Sequence, residues 1–244
     1  MFGRQHPFGN IYMDRSPTLT SQGKYHENYG NEGSEGDLSS SEFDEGDRFT
    51  PEQAISQCVK WFTKVSPNPV TNRTGLVYDR RMQKHFHPYQ KHPECPERTL
   101  TIMGALESSG LKNRMFQLPV RTATDAELLL VHTPEHLSYV NSLIDPVKRK
   151  ENFLSLERRS AYASEGSVEA AYVSCGSVLS ALDHLVSGKI RNALCVVRPP
   201  GHHAERDEVC GFCLFDNVAV AASVAVKEHG FKRVLILGKN FIST

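Results

Sequence analysis

Between Ala193 and Arg198 the chain reads Ala-Leu-Cys-Val-Val-Arg, five apolar residues in unbroken succession, and Arg233-Val-Leu-Ile-Leu237 repeats the pattern. A sheet with one wet face alternates apolar and polar residues. An unbroken run instead reads as a strand covered on both faces, as in parallel sheets backed by helices. The intervening stretches have helical spacing. Over Ser167–Val186, Ala171, Cys175, Val178, Leu182 and Leu185 fall on one face, and Asn217–Glu228 is rich in Ala and Val. Earlier, Thr74–Asp79 and Met115–Val120 read as strands. Glu97–Ser109 reads as a helix with Leu100, Met103 and Leu106 on one face and Gly110 past its end. Thr124-Asp-Ala-Glu127 has the form of a capping box, and Thr133-Pro-Glu135 opens a further helix through Val140. Lys148–Arg159 is charged and reads as exposed. Strands alternating with helices predict an α/β fold with a parallel sheet.

Composition sets the remaining bounds. Lys+Arg and Asp+Glu number 28 each in 244 residues, so a global basic field for direct nucleic-acid binding is not expected. No run approaches the roughly 18 apolar residues of a membrane-spanning helix, and MFGRQHPFGNIYMDR lacks the apolar stretch of a secretory signal. Six scattered cysteines point to free thiols and a reducing compartment, nucleus or cytoplasm. Charge is uneven along the chain. Residues 1–50 hold nine acids against four bases, and seven of those acids lie between Asn31 and Asp47 with Ser39, Ser40 and Ser41 among them. So few aliphatic residues cannot offset the entropy of ordering, and residues 1–50 are expected to form a disordered acidic tail. Residues 51–70 read as a short helix begun by Thr50 and Pro51, followed by a Pro-rich linker.

The chemistry is concentrated in one strand–loop–helix stretch, RPPGHHAE followed by CGFCLFDN. In open parallel sheets, ligands bind beyond the strand C-termini. Two prolines and a glycine there present His202 and His203 together, and adjacent imidazoles can divide proton transfer from charge stabilisation. A histidine pair alone is more often a solvated loop. The whole string in this context is far more specific. Cys210 and Cys213 form Cys-x-x-Cys without a second ligand pair nearby, weak grounds for a structural metal or redox site.

RPPGHHAERDEVCGFCLFDNVAVAA resembles the active-site segment of zinc-dependent histone deacetylases, class II in particular. GLVYD, HPECPER, ELLLVHTPEHLSYV and EGSVEAAYVSCGSVLSA agree with it, over about residues 74–237. The resemblance implies a parallel-sheet arginase/deacetylase-like fold and hydrolysis of acetyl-lysine in histones or other proteins, with zinc as cofactor. Corepressor proteins are implied as partners. His202 resembles the histidine that acts electrostatically, and His203 the general base and later acid. Gly211 and Phe212 resemble the walls of the lysine tunnel, and Arg98 the arginine of an internal cavity. His85, His87 and His92 belong to a first loop that lacks the paired cysteines of class IIa, which favours a class IIb-like or plant-type relative. The strand at Val234–Leu237 should run into a motif of aspartates and histidines that binds zinc, but no Asp, Glu or His follows His229 and residues 238–244 diverge. The expectation is therefore a truncated form with about half of a deacetylase domain, over residues 71–237, that holds no catalytic zinc and is inactive alone. The alternatives are a non-catalytic fragment that binds partners or competes with the full enzyme, and a deacetylase of small acetylated amines.

Overall fold

The computed structural model describes residues 9–14 and 73–238. The acidic segment and the helix expected after Thr50 lie outside them. Strand β1, Gly9–Asp14, falls within the stretch expected to be disordered, which is a correction at those six positions. Strand β2 (Thr74–Val77) leads through Asp79, whose carboxylate accepts the Arg81 N–H, into a 3-10 turn at Arg80–Lys84. Helix α1 is Pro96–Ser108, with Gly110 following at φ +72°. Strand β3 keeps only Phe116–Gln117 of the predicted Met115–Val120. Helices α2 (Asp125–Leu128), α3 (Pro134–Ser142), α4 (Pro146–Arg158) and α5 (Ser167–Val186) precede β4 (Asn192–Cys195). Helix α6 (Asn217–Lys227) leads to β5 (Arg233–Gly238).

Sequence signals explain most boundaries. The capping box at Thr124 forms in full, Thr133 caps α3, Asp145 caps α4, and Asp216 caps α6 by accepting from the N–H groups of Val218 and Ala219. Each such cap satisfies helix N–H groups that have no partner within the helix.

Strands β3, β2 and β4 form a parallel sheet in that order, with Gly75 opposite Phe116 and Ala193. Two expectations fail here. Strand β4 is not buried on both faces: among the described residues it stands at the sheet edge, α5 covers the side of Ala193 and Cys195, and Leu194 on the other side remains 37% exposed. Strand β5 is not an interior strand of this sheet. It pairs antiparallel with β1, Ile11 opposite Ile236, and packs against α6, while Ile236 stays 46% exposed.

Helix α5 organises the core. Val168, Ala171, Cys175, Leu179 and Leu182 pack with Leu128, Val140, Leu156, Phe215, Val220 and Val224. Its buried serines satisfy loop carbonyls: Ser174 donates to Pro199 O (2.9 Å) and Ser180 to Pro119 O (2.6 Å). Gly176 lets the segment before α2 lie directly on the helix, where the Ala123 N–H donates to Tyr172 O (3.0 Å). A Cβ at Gly176 would strike the backbone of Arg121, Thr122 and Ala123.

At the C-terminal edge of the sheet, Arg198 is 1% exposed. Its guanidinium donates to Glu94 through Nε (2.8 Å) and Nη2 (2.7 Å), and through Nη1 to Met82 O (2.7 Å) and His85 O. Nη2 also donates to the Tyr162 hydroxyl (3.1 Å), which in turn donates to the Glu94 carboxylate. His85 stacks on Tyr162 at 4.3 Å and contacts Ser167 Oγ through Nδ1 (2.7 Å). Burial pushes the Glu94 carboxyl up, but the Arg198 hydrogen bonds, with His85 and Tyr162, bring it below its ordinary value. For His85, burial dominates and lowers the pKa to about 3, Glu94 opposing and Arg198 reinforcing.

Three outcomes follow. Gly176→Ala should lower stability by about 1–3 kcal/mol through overpacking, although helix propensity alone favours alanine by about 1 kcal/mol; a raised thermal midpoint would refute the close approach. Arg198→Met should cost about 3–5 kcal/mol in urea unfolding because it strands a buried carboxylate, and adding Glu94→Gln should recover part of the loss. Stability should also depend on pH. His85 binds a proton near pH 6.5 when unfolded but only near pH 3 when folded. Its contribution is therefore complete above pH 6.5 and falls by about 1.4 kcal/mol per pH unit on acidification toward the folded value. Glu94 adds loss of the same sign at lower pH. Urea midpoints that stay level between about pH 7.5 and about pH 5 would contradict this linkage.

Candidate active site

The turn after β4 leaves the sheet at Val196, whose N–H still reaches Val77 O (3.0 Å), and passes Arg198 into Pro199-Pro-Gly-His-His203. Arg198 anchors its start. Its floor is a buried contact between α5 and α6: Asn217 Nδ2 donates to Ser174 Oγ (2.9 Å), which donates to Pro199 O. The rings of His202 and His203 are 4.4 Å apart and tilted by 52°, His202 exposed and His203 half-buried.

Opposite lies a two-residue hairpin. Cys210 and Cys213 exchange both backbone hydrogen bonds, 3.2 and 2.9 Å, with Gly211 at φ +50° and Phe212 at φ +72° between them. Paired positive φ values have the hand that matches strand twist. Glycine adopts them freely, whereas for phenylalanine they are uncommon and costly. The apex is held from outside: the Gly211 N–H donates to Arg159 O (2.9 Å) and the Phe212 N–H to Ser160 O (2.8 Å). Gly211 also lies on the His203 ring, where a Cβ would come within 2.6 Å of Cδ2. The hairpin thus backs His203 while raising the Phe212 ring. Cys213 is a free, buried thiol, its pKa pushed up to about 12 by burial; it accepts the His203 N–H and donates to Gly211 O.

Two histidines of ELLLVHTPEHLSYV hold both ends of this loop. His132 Nδ1 faces Arg206 O (3.2 Å), an acceptor, while Nε2 accepts the Asp216 N–H (3.0 Å). That pairing requires a neutral ring protonated at Nδ1. Burial, with His136 beside it, lowers the His132 pKa to about 4, in keeping with the neutral form. His136 Nε2 donates to Leu214 O (2.8 Å). The motif was legible in the sequence as part of a resemblance, but its role as a clamp on residues 206–216 was not.

The first loop closes the third side. His87 and His92 stack at 5.6 Å, and His92 meets Phe212 edge-on at 4.8 Å. A cleft of about 320 Å3 opens there, bounded by His87, Gln90, His92, Glu157, Ser160 and Phe212. His85 takes no part in it, being committed to the Arg198 cluster. Arg98 stands on the first turn of α1 with its side chain 45% exposed, 4.0 Å from Glu94. Among the described residues the buried arginine of this region is Arg198, which the sequence shows as a charge ending an apolar run without naming its partner. No group of three or more His, Cys, Asp or Glu side chains among the described residues is placed to hold a metal ion. The zinc implied by the resemblance therefore finds no ligand set within them.

With this geometry in hand, comparison with known proteins is specific. A family model described as "Histone deacetylase domain" matches residues 92–238. Histone deacetylase 5 of Arabidopsis thaliana is 42% identical over 170 residues, 68% of this chain and 26% of that protein. Histone deacetylase HDA1 of Saccharomyces cerevisiae is 39% identical over 187 residues, with shares of 68% and 26%. Polyamine deacetylase HDAC10 of Homo sapiens is 37% identical over 168 residues, with shares of 67% and 25%. The crystal structure of the HDA15 HD domain superposes with a TM-score of 0.55 at 35% identity, covering 64% of this chain and 44% of that one. The chain thus spans about a quarter of the length of the curated relatives it matches. Its parallel sheet, flanking helices and RPPGHH turn are part of a deacetylase-like α/β fold, and the chain belongs to the histone deacetylase family.

Proposed function

We propose that this chain supplies the proton-transfer and substrate-channel side of a protein-lysine deacetylase. The observation that carries the reading is the joint placement of the tandem imidazoles and the hairpin, His203 backed by Gly211 and flanked by Phe212. In the reaction, water adds to the acetyl carbonyl and the tetrahedral adduct collapses to acetate and free lysine. His203 takes the proton from the attacking water and returns it to the departing lysine nitrogen. His202, 4.4 Å away, stabilises the negative charge that develops on the carbonyl oxygen. Phe212, its backbone held by the Ser160 carbonyl and its ring met edge-on by His92, grips the alkyl stem of the lysine together with the Gly211 backbone. Arg98, the residue that the resemblance assigns to an internal cavity, is 45% exposed beside Glu94.

The substrates on this reading are acetylated histones or other acetyl-lysine proteins of the nucleus or cytoplasm, with corepressor proteins among the partners. Zinc is the cofactor of the reaction on this reading, and the described residues offer it no ligand set.

The test is a protein in which this chain is continued by the second half of the Arabidopsis Histone deacetylase 5 catalytic domain, assayed for acetate release from an acetyl-lysine peptide. His203→Ala should lower turnover by about 10²–10⁴-fold, and Phe212→Ala should act mainly through KM. Turnover indifferent to His203→Ala, or stoichiometric zinc with activity in the short chain, would overturn the proposal.

A further inference from the structure

The cleft in front of Phe212 contains a single carboxylate. Of the side chains that line it, Glu157 is the one acid, and the others are rings, an amide, a hydroxyl and a methyl group. Glu157 stands at the penultimate position of α4 with its side chain 37% exposed. Its ionic contact among the described residues is with His87, Nε2 lying 3.8 Å from Oε1, beyond hydrogen-bond reach. The tautomer of His87 is set by the loop. Nδ1 accepts the N–H groups of Tyr89 (3.3 Å) and Gln90 (3.1 Å), so the ring proton sits on Nε2 and faces the carboxylate. Burial, followed by the neighbouring His92, lowers the His87 pKa, with Glu157 opposing. The nearby Arg159 is engaged with Glu208 at 2.8 Å. One half-exposed carboxylate beside three rings is a composition that suits an organic cation, with the acid on one side and aromatic faces on the others.

We propose that Glu157, with the rings of His87, His92 and Phe212, forms a subsite for a cationic side chain, an arginine or lysine next to the acetylated lysine of the substrate. The inference rests on the reading of Phe212 as a wall of the lysine channel, since that residue is shared between the channel and the cleft. It makes Glu157 a specificity determinant, remote from the proton transfer. An acidic neighbour would be repelled, and a neutral one would gain only the ring contacts.

Binding to the 244-residue chain tests this directly. Fluorescently labelled peptides carry acetyl-lysine beside arginine, alanine or glutamate, and their affinity is read by anisotropy at low and high salt. The arginine peptide should bind about fivefold more tightly than the alanine peptide at low salt, with the difference shrinking as salt is added. Glu157→Gln should abolish the preference, and Glu157→Lys should turn it toward the glutamate peptide; both changes are at an exposed helix end. Equal affinities, no binding by any peptide, or an arginine preference that survives Glu157→Gln would overturn the subsite. A second set with acetyl-lysine replaced by alanine separates this inference from the one beneath it. Arginine preference without acetyl dependence keeps the subsite and removes the channel reading. Acetyl dependence without arginine preference does the reverse.

Discussion

Arg198 is almost fully withdrawn from water, and a buried guanidinium is tolerable only when all of its donors are occupied. That requirement draws four distant segments together: the carbonyls of Met82 and His85, the carboxylate of Glu94, the Tyr162 hydroxyl, and the end of β4 itself. Each segment leads directly to the site. The first loop continues to His87 and His92, the Tyr162 segment adjoins Ser160 and Ala161, and the turn after Arg198 carries His202 and His203. Glu94 would be destabilised by burial without the arginine, and Arg198 would be destabilised without Glu94. The pair adds little net stability beyond what an apolar replacement would give. Its consequence is positional, since the loops cannot separate without exposing one charge to an apolar interior.

The Gly211–Phe212 hairpin shows the same logic on a smaller scale. Its backbone occupies a region unfavourable for phenylalanine, and it persists because backbone donors from Gly211 and Phe212 find carbonyls on Arg159 and Ser160. His132 and His136 secure the flanks through Arg206, Leu214 and Asp216. Strain at the apex is thus held by hydrogen bonds on three sides, which keeps Phe212 raised and the His203 ring backed. On the proposed function, that fixed geometry is what proton transfer by His203 would require.

Local rules read well from this chain because they act over a few residues. Capping at Thr124 and Thr133, the span of α5, and the positive φ at Gly110 each depend on groups within about one helical turn, so sequence spacing is sufficient. The apolar runs were read as doubly covered strands, and there the reading failed. Leu194 and Ile236 are exposed because cover depends on which element lies alongside, and β5 pairs with β1 rather than with the parallel sheet. Periodicity cannot distinguish a strand that has neighbours on both sides from one that has a single neighbour.

By itself, then, the sequence determined most of the order of strands and helices, several of their caps, and the string RPPGHH…CGFC that carries the family resemblance. The tertiary structure alone decided which groups those residues meet. Glu94 and Arg198 are 104 positions apart, His132 and Asp216 are 84 apart, and Glu157 at the end of α4 faces His87 of the first loop across the cleft. Such contacts arise from packing around α5 and from the need to satisfy buried polar groups. No pattern confined to neighbouring residues encodes them.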